Sequence, residues 1–184
     1  MTDSHLTGAR SDNAGPDDAG PGDAGSSDAC VLPERASDQA PPDGALAALL
    51  ARTRTVAVVG FSPKPDRTSH QIGAWLQANT PYDLYWVNPI AAGQEVLGKP
   101  VYASLADLPL VPDLVDVFRR SEDVPPVVAD AVAVGAKAVF MQRGIANEEA
   151  ASVARGAGLE VVQNRCIKVE YARLRGAIEA ARAS

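Results

Sequence analysis

Cysteine is scarce in this 184-residue chain. Cys30 and Cys166 are the only two, too few for a disulfide framework, and with two histidines they lack the spacing of a metal cluster. No stretch of about 20 apolar residues occurs, which excludes a membrane-spanning helix. The first residues show no basic patch followed by an apolar run, so they do not read as a secretory leader. A cytoplasmic protein is the resulting expectation. A basic excess is missing too: 17 Lys and Arg stand against 23 Asp and Glu, a formal charge of −6. That charge is unevenly placed. Residues 1–44 hold Arg10 and Arg35 against nine acids, a net of −7, and residues 45–184 carry +1. A nearly neutral body argues against a nucleic-acid binder, which needs a basic face.

Residues 1–44 also lack aromatics, and they contain five Pro, six Gly and eight Asp, with an Asp-x-Ala-Gly theme through Asp12–Gly25. Such a segment has little apolar surface to set against its ordering entropy, so it is expected to be a disordered, solvated acidic tail. Residues 45–184 are expected to form one domain, a size that buries roughly two thirds of the unfolded surface.

In this body, short apolar runs alternate with helical periodicity. Thr55–Val59 is rich in β-branched residues and is followed by Gly60. Leu84–Val87 stops at Asn88-Pro89, and Val101-Tyr102 is a possible short strand. Leu114–Phe118, Ala138–Met141 and Leu159–Val162 complete the set of buried strands. Between them, Leu46, Leu49 and Leu50 mark a lead-in helix. Ser69 opens a helix bearing Ile72, Trp75 and Leu76, and Ser104–Leu108 reads as one helical turn. Ser121 is positioned to cap a helix ended by Gly135, and Asn147 caps another running to Ala157. A last helix spans about Ile167 to Ala181. The expected fold is α/β: a Rossmann-like, doubly wound, mostly parallel sheet of five to six strands with helices on both faces. In such folds ligands lie beyond the carboxyl ends of the strands.

Two nucleotide signatures are absent. No Gly-x-Gly-x-x-Gly comes after the first strand and no acid ends the second, so the nicotinamide pattern fails. No Gly-Lys-Ser/Thr occurs, so there is no Walker loop. Instead, the first strand runs into Gly60-Phe61-Ser62-Pro63-Lys64-Pro65-Asp66-Arg67-Thr68-Ser69. This loop offers one glycine for close backbone approach, two hydroxyls and two cations just before a helix N-terminus, where amide N–H groups and the dipole attract anions. Arg119 can add charge from the adjacent crevice. This much positive charge suits a nucleotide with a pyrophosphate and an extra ribose phosphate.

Together with Val87–Pro89, Leu97-Gly98, Tyr102–Asp107, Val115–Val124, Gly135–Lys137, Gln142–Ile145, Asn147–Glu149 and Arg165-Cys166, the run Val56–Arg67 resembles the small coenzyme A-binding proteins. Their fold is shared with the nucleotide-binding domain of the succinyl-CoA synthetase alpha subunit. The resemblance covers about residues 50 to 174. It implies that Gly60, Phe61, Ser62, Lys64 and Arg67 wrap the CoA phosphates, with Ser69 at the helix start. Asn88 and Pro89 would lie by the 3′-phosphorylated ribose. Phe118 and Arg119 would flank the nucleotide, and Gln142 and Gly144 would border the remaining crevice. The implied function is non-catalytic binding of CoA or acyl-CoA, for sensing or delivery. A component of an acyl-CoA ligase or transferase is an alternative, as is a nicotinamide-nucleotide regulator. Enzymatic activity stays open, as does a protein partner or homo-oligomer. His70 has no visible catalytic partner. Cys166 reads as a small packing residue or, beside Arg165, as a thiol open to a mixed disulfide with CoA.

Overall fold

The structure, a computed structural model, describes residues 41–183. The acidic segment up to residue 40, with Cys30, lies outside the described residues. Pro41 and Pro42 lead into α1 (Asp43–Arg52), so Asp43 and Gly44 form the first turn of a helix. The chain then alternates β1 (Thr55–Val59), α2 (Thr68–Asn79) and β2 (Asp83–Val87). After β3 (Glu95–Val96), β4 (Lys99–Tyr102) and β5 (Leu114–Val117) come α3 (Val124–Val134), β6 (Ala138–Met141), α4 (Glu148–Gly156), β7 (Glu160–Val162) and α5 (Ile167–Ala183). Among these helices none is long and apolar enough to cross a membrane.

The sheet has seven strands in the order β3-β4-β2-β1-β5-β6-β7, parallel except for β3. The sequence-based count of five to six is thus one short at the edge. Glu95-Val96 and Lys99-Pro100 pair across the two-residue turn Leu97-Gly98, whose φ angles of 53° and 72° are those of a type I′ hairpin. Two residues are too few to show a period, so the pattern reads as a loop. The direction of winding reverses between β1 and β5. The chain leaves β1 toward β2 and β4, then returns to β5 on the other side, and this is the switch point where doubly wound sheets open a crevice.

Side-chain alternation along each strand fills two cores. Val56 and Val58 of β1, Leu114 of β5 and Phe140 of β6 face Leu46, Leu50, Leu76, Ile167, Tyr171 and Ile178 of α1, α2 and α5. Ala57, Val59, Val115, Val117, Val139 and Met141 face α3 and α4, whose Ala150, Ala151 and Ala154 permit close approach. With both faces covered, the central strands have no polar side and read as continuous apolar runs. Helix ends follow local chemistry. Gly135 closes α3 in the left-handed region at φ 80°, and the Asn147 side chain accepts from the Ala150 N–H at the start of α4. The expected Ser121 cap is not made. Ser121 opens a 3-10 turn (Ser121–Asp123) ahead of α3, and its hydroxyl oxygen accepts from the Ala146 N–H. The loop after β6 claims it because no side chain nearer in sequence satisfies that amide.

Two acids near β5 show opposite electrostatics. Asp113 precedes the strand and ties it to β1, accepting from the Arg54 and Thr55 amides, the Thr55 hydroxyl and Lys137. Burial alone would raise its pKa, but the hydrogen bond from Lys137 and those from Arg54 and Thr55 hold it down to about 2. Asp116 lies inside the strand with no exposed surface. Desolvation pushes it up to about 8, against a lowering hydrogen bond from Gln142.

These directions fix the pH dependence of stability. The folded pKa of Asp113 lies below its unfolded value, so its contribution is present above about pH 4 and lost as pH falls toward 2. Asp113→Asn should cost about 1–3 kcal/mol at pH 7 and almost nothing near pH 2. The folded pKa of Asp116 lies above its unfolded value. Its carboxyl is best tolerated below about pH 4, and stability falls by up to about 1.4 kcal/mol per pH unit until about pH 8. Asp116→Asn should remove that slope and be more stable than the wild type at pH 8. Urea denaturation at pH 2.5, 5, 7 and 8.5 reads both effects; parallel curves for the Asp116→Asn variant and wild type would refute the second.

Candidate functional site

The loop after β1 is shaped by its buried anchor. Phe61 is fully buried. It stacks on Trp86 with ring centroids 4.1 Å apart and an interplanar angle of 11°, and lies 5.6 Å from the His70 ring. Its side chain is therefore a plug in the core, and only its backbone faces the site. Gly73 of α2 sits over this stack, where an added Cβ would come within 2.8 Å of Phe61 and 3.1 Å of Trp86. Asn88 fastens the loop from β2, donating from Nδ2 to the Phe61 carbonyl at 2.7 Å while its Oδ1 accepts from the Ile90 N–H. Gly60 has a φ of 85°, and a Cβ there would lie 2.5 Å from the Phe118 carbonyl oxygen. A side chain fits neither the backbone nor the space.

Within the loop, the Ser62 N–H donates to the Ser69 hydroxyl oxygen and the Lys64 N–H to the Ser62 hydroxyl oxygen. Each hydroxyl keeps its own proton to donate. His70 Nδ1 lies 3.0 Å from the Ser62 carbonyl oxygen. The helix α2 begins one residue earlier than the sequence suggests, with Arg67 in the N-cap position and no side-chain cap. First-turn amides without a side-chain partner are an anion site in waiting. The side chains of Lys64, Arg67, Arg119 and Arg143 have no partner among the described residues.

Three openings meet at the carboxyl ends of the strands. One of about 310 Å³ is lined by Gly60, Ser62, Arg67, Thr68, Ser69 and Phe118. A larger one of about 630 Å³ begins at Thr68 and Phe118 and extends past Arg119, Gln142 and Gly144 to Ile145 and Cys166, with Ile72 and Val169 as apolar walls. A third, about 130 Å³, lies on the α3 side between Pro89, Ser104, Arg119 and Asp130. Thr68 and Phe118 belong to the first two, and Arg119 to the second and third. The shared residues make them neighbours along the groove at the switch point. Another opening, at the amino ends of β1 and β2 by Arg52, Arg54 and Arg182, is structural in make-up. Arg182 donates to the carbonyls of Leu50, Ala51 and Thr53 at the end of α1, and Arg52 pairs with Glu160.

Of the residues expected from the sequence, the groove gathers Gly60, Ser62, Arg67, Ser69, Pro89, Phe118, Arg119, Gln142 and Gly144. Lys64 is exposed outside the lining. Phe61 and Asn88 act from behind, holding the loop. The Gly144 N–H is committed to Asn164 Oδ1 at 2.8 Å, and Asn164 takes a φ of 53° to make that bond. Sequence reasoning missed Ile72, Ile145 and Val169, which carry no signal apart from apolar periodicity, and Thr68, whose hydroxyl stands beside Ser69 at the start of α2. It also passed over Asp116, although an acid inside Leu-Val-Asp-Val is a legible anomaly in a strand expected to be buried. Gln142 is 3% exposed and donates from Nε2 to Asp116 Oδ1 at 2.6 Å.

The uncharacterized protein YneT of Bacillus subtilis (strain 168) is 37% identical over 134 residues, which cover 73% of this chain and 97% of YneT. The structure of a hypothetical protein from Pyrococcus horikoshii OT3 matches with a TM-score of 0.70 at 38% identity, over 74% of this chain and 94% of that one. An acetyl-coenzyme A synthetase from Ca. Korarchaeum cryptofilum matches at 25% identity and a TM-score of 0.53, over 60% of this chain and 25% of the synthetase. Residues 54–172 match the CoA binding domain family, and the chain belongs to that family.

Proposed function

We propose that this protein binds CoA or a short acyl-CoA along the carboxyl ends of β1, β5 and β6 and carries out no chemistry of its own, serving to sense, buffer or deliver the cofactor. The observation that carries this reading is the row of adjoining openings that share Thr68, Phe118 and Arg119. Its β1 end is polar and cationic, and the larger opening adds the apolar walls of Ile72, Ile145 and Val169, with Arg120 and Arg143 also in its lining. A ligand with a polyanionic head and a long, largely uncharged arm matches that gradient.

In this reading the pyrophosphate lies at the first turn of α2, held by the amides there, the Ser62 and Ser69 hydroxyls and Arg67. Lys64 reaches in from the exposed side of the loop, and Arg119 bridges to the third opening, where Pro89 borders the 3′-phosphorylated ribose. Phe118 flanks the nucleotide, and the pantetheine arm runs over Gln142 and Gly144 toward Cys166. Neighbouring strands are about 4.8 Å apart. Three steps from β1 to β7 therefore span about 14 Å, enough for an extended arm. His70 is engaged with the Ser62 carbonyl, which favours a structural role for it over proton transfer. A second reading, a component of an acyl-CoA ligase, draws on the acetyl-coenzyme A synthetase that this chain matches over a quarter of its length. Co-purification of a larger partner subunit would favour it.

Native mass spectrometry of protein from its own host should show a retained mass equal to CoA or an acyl-CoA. A nicotinamide nucleotide in its place would overturn the assignment. In calorimetric titration with CoA, Arg67→Ala should weaken binding by about 1–3 kcal/mol, the scale of a charge-assisted hydrogen bond. Unchanged affinity removes Arg67 from the site. Gly60→Ala should destabilise the fold by more than about 1 kcal/mol and lower CoA affinity with it, because the Cβ displaces either the loop or the Phe118 carbonyl. A variant of wild-type stability with full CoA binding would contradict that account.

A further inference from the structure

Asp116 is the one charged residue type in the described interior whose burial no other feature explains. It lies mid-strand, between Val58 of β1 and Phe140 of β6. One carboxyl oxygen accepts from Gln142 at 2.6 Å. The other, Oδ2, is buried without a hydrogen-bond partner. An acid held this way costs stability that a valine would not, so a purely structural part does not account for it. Its position relative to the groove does. Gln142 and Phe118, whose side chains share the sheet face of Asp116, both line the groove. Two residues along a strand are about 7 Å, so the carboxyl lies just beneath the groove floor, and its hydrogen-bond partner is part of that floor.

We propose that Asp116 is a proton-linked positioning residue: protonated, it holds Gln142 in the groove floor, and ionised, it sets an uncompensated negative charge beneath an anion-binding site, so that ligand binding and loss of this proton oppose each other. This inference rests on the CoA reading and adds to it a control by pH. The ionisable groups of the elements packed on this face are Asp43 and Arg52 on α1, His70 on α2, and Lys168, Glu170, Tyr171, Arg173, Arg175, Glu179 and Arg182 on α5. Arg165 and Cys166 precede α5, and Arg119 and Arg143 stand at the rim. None of them ranks among the influences on Asp116, which are burial first and the Gln142 hydrogen bond second. With no cation beside it, the carboxyl keeps its proton through neutral pH. Glu170 is already paired with Arg165 and Arg173.

The linkage is reciprocal. A bound polyanion makes the Asp116 proton harder to remove, so binding near pH 8 takes up protons. One unit charge about 10 Å from another at an effective dielectric constant of about 20 changes affinity on the order of tenfold. CoA titrations of the full chain from pH 6.5 to 9.5 test this. The wild type should lose about tenfold in affinity across that range, and Asp116→Asn, which keeps the acceptor for Gln142, should lose much less. Ionisation of CoA itself is common to both proteins and cancels in the comparison. A measurement that needs no variant supports it: wild-type binding enthalpies at pH 8 in Tris and in phosphate should differ by the heat of a partial proton taken up. Matching pH profiles for the two proteins, or no proton uptake by the wild type, sinks the linkage while leaving the site intact. Absence of CoA binding at pH 7 in both proteins overturns the site reading itself, and the linkage falls with it.

Discussion

The face-to-face contact of Phe61 and Trp86 is the constraint on which the rest of the site depends. Phe61 comes directly after Gly60, where the chain leaves the sheet, and its burial against β2 pulls the start of the loop inward. The Asn88 amide then grips the Phe61 carbonyl, and Gly73 lets α2 settle on the stacked rings. An aromatic pair in offset contact contributes about 0.5–1.5 kcal/mol beyond its buried area. Here its larger effect is positional. It brings the N-terminus of α2 and the hydroxyls of Ser62 and Ser69 to the mouth of the switch point, next to the Phe118 backbone.

That backbone approach is the second part of the arrangement. Parallel strands β1 and β5 end side by side, with the Phe118 N–H donating to the Val59 carbonyl at 2.8 Å. Gly60 passes over Phe118 with no room for a side chain. The groove therefore opens where two loops diverge from neighbouring strands, and Arg67 and Arg119 converge there without touching any acid among the described residues. Unpaired guanidinium groups in a concave site keep their charge available for a ligand. The paired ones, Arg173 on Asp43 and Glu170, and Arg182 on the carbonyls at the end of α1, fasten α1 to α5.

The contrast between Asp113 and Asp116 shows how far environment governs one chemical group. Three positions apart, the first is surrounded by donors at the strand's solvent end and is held ionised, whereas the second is enclosed by apolar strands with a single donor and is held neutral. The first fixes the alignment of β1 and β5 at their amino ends. The second lies beneath the groove at their carboxyl ends. Ion pairing and desolvation thus act at opposite ends of one short strand.

By itself the sequence determined the class of the fold, because β-branched runs alternating with amphipathic stretches admit few arrangements. It also marked the place proposed for the site, because glycine, hydroxyls and cations ahead of a helix are a local anion signature: Gly60, Ser62, Arg67 and Ser69 are close in the chain and line one opening in the fold. The tertiary structure decided which side chains line the groove. Phe61 and Asn88 belong to the same motif, yet they point away from the groove into the core and the loop backbone, since orientation depends on Trp86, far along the chain. Thr68, Ile145 and Cys166 come together only when α2 and the ends of β6 and β7 are stacked on one sheet, and the state of Asp116 depends on being walled in by β1 and β6. Local chemistry is written in neighbouring residues; burial and convergence are properties of contacts between distant ones, and those exist only once the chain has folded.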